Sequence, residues 1–328
     1  MTEINYIKDK VLSGEEINKE ECEILIKSDN YNLFTAANQI REHFIGREII
    51  LCSIVNAKSG FCSEDCSFCG QSSQFITESP KYKLLDFKEL KSNIDKAYKN
   101  GASEFSFVTS GRRINTKELE LVAKAIKYTK ENTSMEACSS LGLLTEDELN
   151  YLKDNGMDHY HHNVETSRSH FSNIISSHTY DEEINTIRNA KNIGLHTCCG
   201  GIFGLGESWN QRLELAFDLR DIDIDTVPIN FLNPIKGTIL ESQTLLKPFE
   251  ALKIVAIFRF IFPTKNVMVM GGRERVLRDF QSWIFFAGAN GMLLGNYLTT
   301  KGRSVNDDLK MIEDLGLIPK TQCHNYQT

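Results

Sequence analysis

From residue 47 onward the chain alternates short apolar runs with stretches whose apolar residues recur at helical spacing. The apolar runs are REIILCSIV, EFSFVTS, SMEACSSLG, MDHYHHNVE, LHTCCGGIF, TVPINFLNP, NVMVMGG and NGMLLGNYL, eight in all. Most carry apolar residues on both alternating faces, which marks strands of a parallel sheet covered on each side. Between them, Thr145 with Glu148 and Thr179 with Glu182 read as capping boxes, and Leu144 with Leu149 as a hydrophobic staple. Gly101, Gly156 and Gly194 each stand just before a strand, where a left-handed helix stop costs glycine little. Eight strands spaced by helices over about 250 residues predict an α/β fold of the (β/α)8 TIM-type barrel class. A doubly wound open sheet is the alternative, since the pattern does not reveal closure. Residues 1–45 read as a helical N-terminal extension, with Ser13 capping the segment that starts at Gly14. The barrel then spans 46–318, and 319–328 form a polar tail.

Composition narrows the classes. With 41% hydrophobic and 25% charged residues, disorder and small disulfide scaffolds are excluded. A net charge of −7 argues against a general affinity for nucleic acid or an anionic membrane. The N-terminus lacks a basic region followed by an apolar one, and the apolar stretch at 254–263 is short and holds Arg259. The expectation is a cytoplasmic protein, in which thiols stay reduced. Its nine cysteines are clustered, and their odd number fits no complete disulfide framework. Metal binding or catalysis is the better use for them.

Directly after the first strand, Cys62, Cys66 and Cys69 are spaced C-x3-C-x2-C and followed by Gly70. Soft thiolates on so short a loop suit one cubic iron–sulfur cluster, and three of them leave its fourth iron open to a ligand. The amino and carboxylate groups of S-adenosylmethionine match that open corner. A zinc knuckle completed by Cys52 or a histidine is the structural alternative, although zinc cysteines usually come as C-x2-C pairs. Cys52 lies within a strand and is given a core role.

With Phe68 at its aromatic position, the loop resembles the signature of the radical S-adenosylmethionine superfamily. The segments NAKSGFCSEDCSFCGQSS, MEACSSLG, YHHNVETS, GGIFGLGES, DTVPINFLNPIKGT, GGRE and LTT, in this order over roughly 40–318, resemble the biotin synthase family more closely. The radical enzymes that build the iron hydrogenase cofactor share the loop but lack this combination. The resemblance implies a [4Fe-4S] cluster with S-adenosylmethionine on its open iron. It also implies sulfur insertion between C6 and C9 of dethiobiotin, spending two S-adenosylmethionine molecules and drawing sulfide from an auxiliary cluster. That cluster is a [2Fe-2S] centre by family default, held on three cysteines and an arginine.

Those four positions map to Ser106, Cys138, Cys198 and Met268, so only two of them are cysteine. Hydroxyl and thioether are poor substitutes for the missing ligands. The neighbouring Cys199 is the candidate replacement. Strand alternation argues against it, whereas a bend at Gly200 and Gly201 would allow it. Cys138, Cys198 and Cys199 would then hold a four-iron auxiliary cluster with an extra sulfide; otherwise Cys199 is a small buried hydrophobe. Cys22 and Cys323 read as bystanders.

The resemblance also assigns the pocket. Gly200, Ile202, Gly204 and Glu207 lie where the family's backbone passes the adenine, although the run equally describes a turn into a helix capped by Ser208. His161, Asn163 and Glu165 share one strand face. Asn163 is assigned to dethiobiotin and Glu165 to the ribose hydroxyls, with His161 beside them in place of the family's asparagine. His162, on the other face, reads as a satisfied core histidine. His178 replaces an arginine near the S-adenosylmethionine carboxylate. Asn230 matches a ureido contact, and Thr299 and Thr300 match substrate-carboxylate contacts or simple helix caps. Arg273 and Glu274 read as structural, as a pair at the base of the seventh loop. Implied partners are flavodoxin or ferredoxin as electron donor, an iron–sulfur assembly system, and a second copy in a homodimer. The competing readings are a radical enzyme acting on another small substrate without sulfur insertion, and a non-catalytic metal-binding scaffold.

Overall fold

Every strand pairing is parallel, as connections through helices require. In the computed structural model, which describes residues 2–320, the strands are β1 (Glu48–Lys58), β2 (Glu104–Thr109), β3 (Glu136–Ser140), β4 (His159–His161), β5 (His196–Cys198), β6 (Gly201–Phe203), β7 (Thr226–Phe231), β8 (Asn266–Val269), β9 (Gly291–Leu293) and β10 (Ile318–Pro319). β1 pairs with both β2 and β9, so the sheet closes on itself and the open-sheet alternative falls. The fifth predicted strand is broken at Cys199–Gly200 into β5 and β6, both paired to β7. Counting that broken strand once, eight strands form the barrel wall. β10 sits outside the ring and extends β1 at its start, through Glu48↔Ile318 and Ile49↔Pro319. The expected polar tail therefore begins as a strand, and its remainder, with Cys323, lies outside the described residues.

The capping signals act as read. Thr145 and Thr179 each accept from the backbone of the glutamate three residues on, and that glutamate reaches back. Leu144 and Leu149 are buried together. Gly101, Gly156 and Gly194 have φ of 82°, 98° and 75°, a region open to glycine. The N-terminal extension is three helices, Glu3–Leu12, Lys19–Lys27 and Asn30–Phe44. Ser13 ends the first, and the cap of the second is Asn18, which forms a reciprocal box with Glu21. The expected Ser13 cap is thus displaced by a residue pair, Asn18 with Glu21, that satisfies two backbone donors at once.

The extension covers the helix Pro248–Ile261, and this explains that helix's apolar run. Leu33, Phe34 and Ile40 bury against a surface of Ile254, Ile257, Phe258 and Ile261. Arg259 is wholly buried there without a carboxylate. It donates instead to the carbonyls of Gly288 (2.7 Å), Phe262 (2.9 Å) and Lys265 (2.8 Å) and to Asn290 Oδ1 (2.7 Å). No helix among the described residues is long and apolar enough to cross a membrane.

Arg273 is structural, as read, but its main partner is Asp308, not Glu274, whose carboxylate stands 3.9 Å away. Both members of the Arg273–Asp308 pair have fully buried side chains, and Arg273 also donates to Gln281 Oε1 at 2.6 Å. The pair ties the helix Val305–Asp314 to the mouth of the barrel. Removing one partner strands the other charge, so Arg273→Ala should cost about 3–5 kcal/mol in chemical denaturation. The double variant with Asp308→Ala should cost clearly less than the sum of the two single changes.

Candidate active site

Closure gives each strand an inside face. Cys52, Ser106, Cys138, His161, Cys198 and Met268 turn inward and line one cavity of about 420 Å³. The three-cysteine loop roofs the same cavity through Cys62, Cys66, Phe68 and Cys69. Both sulfur sets thus face a single space, at the C-terminal end of the strands where barrel chemistry is sited.

The loop is held by hydrogen bonds at both ends. Cys62 N donates to Gln71 O at 3.2 Å, and Ser73 N returns to Cys62 O at 2.7 Å. Ser67 is tied to Ile174 O by both its amide and its hydroxyl. Burial opposes ionisation of Asp65, but its carboxylate accepts from the Ser176 hydroxyl and from the amides of Ser176 and Ser177, each amide at 3.0 Å, and these bonds hold its pKa down to about 2. Burial pushes the thiols of Cys62 and Cys66 up and that of Cys69 up to about 11. Their carboxylate and thiol neighbours add to the rise at Cys66 and Cys69. Lys58 eases the rise at Cys62 only in part, so a metal cluster is the partner that suits this set of three thiolates.

Behind the loop runs a chain of buried ion pairs. His178 Nδ1 meets Glu64 Oε2 at 2.6 Å and its Nε2 meets Glu183 Oε1 at 2.5 Å, while His162 pairs with the other oxygen of Glu183. Burial opposes charge on His178, but the two carboxylates outweigh it and raise its pKa. Burial likewise opposes ionisation of Glu183, which His162 and His178 nevertheless hold down at about 2. His162 is buried with its Nε2 against Glu183, as an ion contact that does not meet hydrogen-bonding geometry, so the expected satisfied core histidine is only half realised. The expected contact of His178 with a carboxylate of S-adenosylmethionine does not fit this geometry, because both ring nitrogens are already engaged. Neither Glu64 nor Glu183 stood out in the sequence, since a lone carboxylate carries no spacing signal.

On the fourth strand and its continuation, His161, Asn163 and Glu165 all line the cavity. His161 Nδ1 lies 3.2 Å from Cys198 Sγ, and burial, with His162 nearby, presses its pKa down to about 4. Asn163 Oδ1 and Glu165 Oε2 are buried acceptors with no protein donor. Burial and then the charge of Glu183 push the Glu165 carboxyl up to about 7. Glu165 also has a φ of 61°, a strained value for a side chain of its length. Gly201 stands beside it, where a Cβ would collide with the Glu165 carbonyl.

The glycine-rich segment divides. Ile202 lines the cavity, whereas Gly200, Gly204 and Glu207 are not among its lining residues. A Cβ on Gly200 would collide with the Pro228 carbonyl. Glu207 accepts from Gly204 N at 3.0 Å and from Arg212 Nε at 2.7 Å, so it fastens the turn. Asn230 reaches the cavity, with Oδ1 on Gly271 N at 2.9 Å and Nδ2 on Gly201 O at 3.3 Å. Thr299 and Thr300 lie at the mouth in a loop, and the next helix is preceded by Ser304, so neither serves as its cap.

Cys199 does not join the lumen. The bend at Gly200 leaves the alternation intact, and Cys199 packs fully buried in the outer core containing Val164, Tyr180 and Leu215. Cys52, given a core role by its place in a strand, instead faces inward with Ile50, Met268 and Leu293. Below them, Glu104, Glu136 and His159 fill the barrel floor, with His159 Nε2 3.4 Å from Glu136 Oε2 and stacked on His196.

Residues 57–219 match the model of the radical SAM superfamily, and 228–318 match the biotin and thiamin synthesis associated domain. Proteins named biotin synthase are similar over nearly their whole length. That of Citrifermentans bemidjiense is 48% identical, covering 96% of this chain and 97% of its own. That of Geobacter sulfurreducens is 44% identical, covering 98% and 99%. Among solved structures, methylornithine synthase (PylB) superposes with a TM-score of 0.83 at 20% identity over 96% of this chain and 97% of its own. HydG, a maturase of the [FeFe]-hydrogenase, gives 0.84 at 17% over 98% and 76%. At those identities the two structures share the fold.

The floor makes stability depend on pH. Burial, followed by the charge of Glu136, lifts the Glu104 carboxyl from 4.5 to about 8. Between those values the folded chain keeps a proton that the unfolded chain has lost, so this group's contribution to stability falls as pH rises. Glu104→Gln removes the dependence. In denaturant titrations at about pH 8 to 9 the variant should be more stable than the parent by about 1–3 kcal/mol, and the gap should close near pH 5.

Proposed function

The chain belongs to the biotin synthase family, and on that premise we infer how the cavity inside its barrel serves the reaction. It is a radical S-adenosylmethionine-dependent sulfurtransferase that converts dethiobiotin to biotin. Two C–H bonds, at C6 and C9, are replaced by two C–S bonds. A [4Fe-4S] cluster on Cys62, Cys66 and Cys69, with S-adenosylmethionine on its open iron, supplies the radical chemistry when bound. The protein's own task is to hold the substrate carbons between that site and a source of sulfur, away from water.

The observation that carries this division is the shared cavity, roofed by one set of thiols and walled by another. Glu165 Oε2, a buried acceptor without a donor, receives the ribose hydroxyls of S-adenosylmethionine. Ile202 packs beside the adenine, while Gly200, Gly204 and Glu207 shape its turn from behind. Asn163 Oδ1 takes an N–H of the ureido ring of dethiobiotin, and Asn230 borders the same ring. Thr299 and Thr300 offer hydroxyls to the substrate carboxylate at the mouth. His178 acts as a positioning residue, holding Glu64 and Glu183 behind the cysteine loop. Met268, Met270 and Leu293 keep the reacting region apolar.

The sulfur comes from an auxiliary iron–sulfur cluster held by Cys138 and Cys198, whose thiols burial holds protonated until a metal replaces the proton. Electrons arrive from flavodoxin or ferredoxin, and an iron–sulfur assembly system rebuilds the spent cluster. The enzyme works as a homodimer in the reducing cytoplasm.

Two measurements test this reading. Glu165→Gln should weaken S-adenosylmethionine binding about 10- to 100-fold through loss of hydrogen bonds to a charged acceptor, with iron content unchanged. Protein whose auxiliary cluster is rebuilt with isotopically heavy sulfide should deliver that label into biotin in a single anaerobic turnover. Unlabelled biotin would exclude the cluster as donor, and 5′-deoxyadenosine without biotin would remove sulfur insertion altogether.

A further inference from the structure

We propose that Cys52 is the third thiolate ligand of the sulfur-donor cluster, completing a set with Cys138 and Cys198 that Ser106 leaves one short. The proposal rests on the reading that an auxiliary cluster occupies this lumen. Its ground is geometric. β1 sends Leu51, Val55 and Ala57 outward into the helix layer and turns Ile50 and Cys52 inward. Cys52 packs there against Met268 of β8 and Leu293 of β9. Cys138 comes from β3, with Ser106 beside it in register on β2, and Cys198 comes from β5, with His161 beside it in register on β4. The three thiols therefore enter one cavity from three separate parts of the wall.

Three further features fit an iron–sulfur core between them. All three cysteines are free, so no disulfide claims any pair. Gly291 lies in register beside Met268, where a Cβ would stand 2.7 Å from Met268 Cγ, so the glycine makes room for a flexible thioether rather than a rigid ligand. Ser106 stands in register beside Cys138, where a hydroxyl suits a donor that steadies a thiolate instead of an iron ligand. Cys199 is removed from competition by its place in the outer core. Three thiolates without a fourth protein ligand match a four-iron core with one uncovered iron, open to an additional sulfide.

The test compares Cys52→Ala, Cys52→Ser and Cys199→Ala with the parent after anaerobic reconstitution, reading iron, sulfide and Mössbauer spectra. The parent should bind about eight irons per chain in two cubic clusters. Cys52→Ala should fall to about half that iron, while still cleaving S-adenosylmethionine, which shows an intact fold and roof cluster. Cys52→Ser, nearly the same size, should lose the second cluster or shift its spectrum. Cys199→Ala should match the parent. An unchanged second cluster in both Cys52 variants, or its loss in Cys199→Ala, would overturn the assignment while leaving the auxiliary cluster standing. About four irons in the parent itself would remove the auxiliary cluster and this proposal with it.

Discussion

Closure of the sheet through β1 and β9 is the constraint on which the rest of this molecule depends. An open sheet would face helices on both sides and could be apolar on both. A closed one commits alternate residues to a lumen without bulk water, where each polar group needs a partner. Most find one: His159 stands against Glu136, and the Asn230 amide against two backbone groups. The exceptions on the cavity wall include Asn163 and Glu165, whose acceptors have no protein donor. A site of this kind is built by withholding partners at a few positions while satisfying the others around them.

The roof uses the opposite strategy. The cysteine loop has little regular structure of its own, yet it is fixed by Asp65 and Ser67 to residues 174–177 and by Glu64 to His178. His178 then connects through Glu183 to His162, which follows the inward-facing His161 on the fourth strand. Roof and wall are joined by charged pairs, which hold direction better than apolar contacts because hydrogen-bond geometry is angular. The cost is burial of four ionisable groups, offset where His178 stands between the carboxylates of Glu64 and Glu183.

Much of this was legible in the sequence. Eight apolar runs, reciprocal capping boxes and glycine stops described the barrel because each is a local signal with a local cause. Ser13 misled because capping depends on which residue can return a second bond, and Glu21 answers Asn18. The cysteines show where local reasoning ends. In a parallel barrel strand, Leu51 and Cys52 are both buried, so hydrophobicity does not reveal which one faces the lumen. The bend at Gly200 was visible, but its effect on Cys199 depended on β7, whose pairing keeps the strand's parity across the break. The Glu64–His178–Glu183–His162 chain joins four segments and left no spacing to detect.

The filled floor has a consequence for how such a protein is supplied. Glu104, Glu136 and His159 are buried at one end, and β10 lies alongside the start of β1 there. The lumen is thus a vessel with one mouth, and the cysteine loop stands in that mouth. Whatever is loaded into the wall must enter by the path that the substrates later occupy. Any group seated on the wall and any substrate beside it therefore share one passage, and whichever sits nearer the mouth controls the exchange of the other.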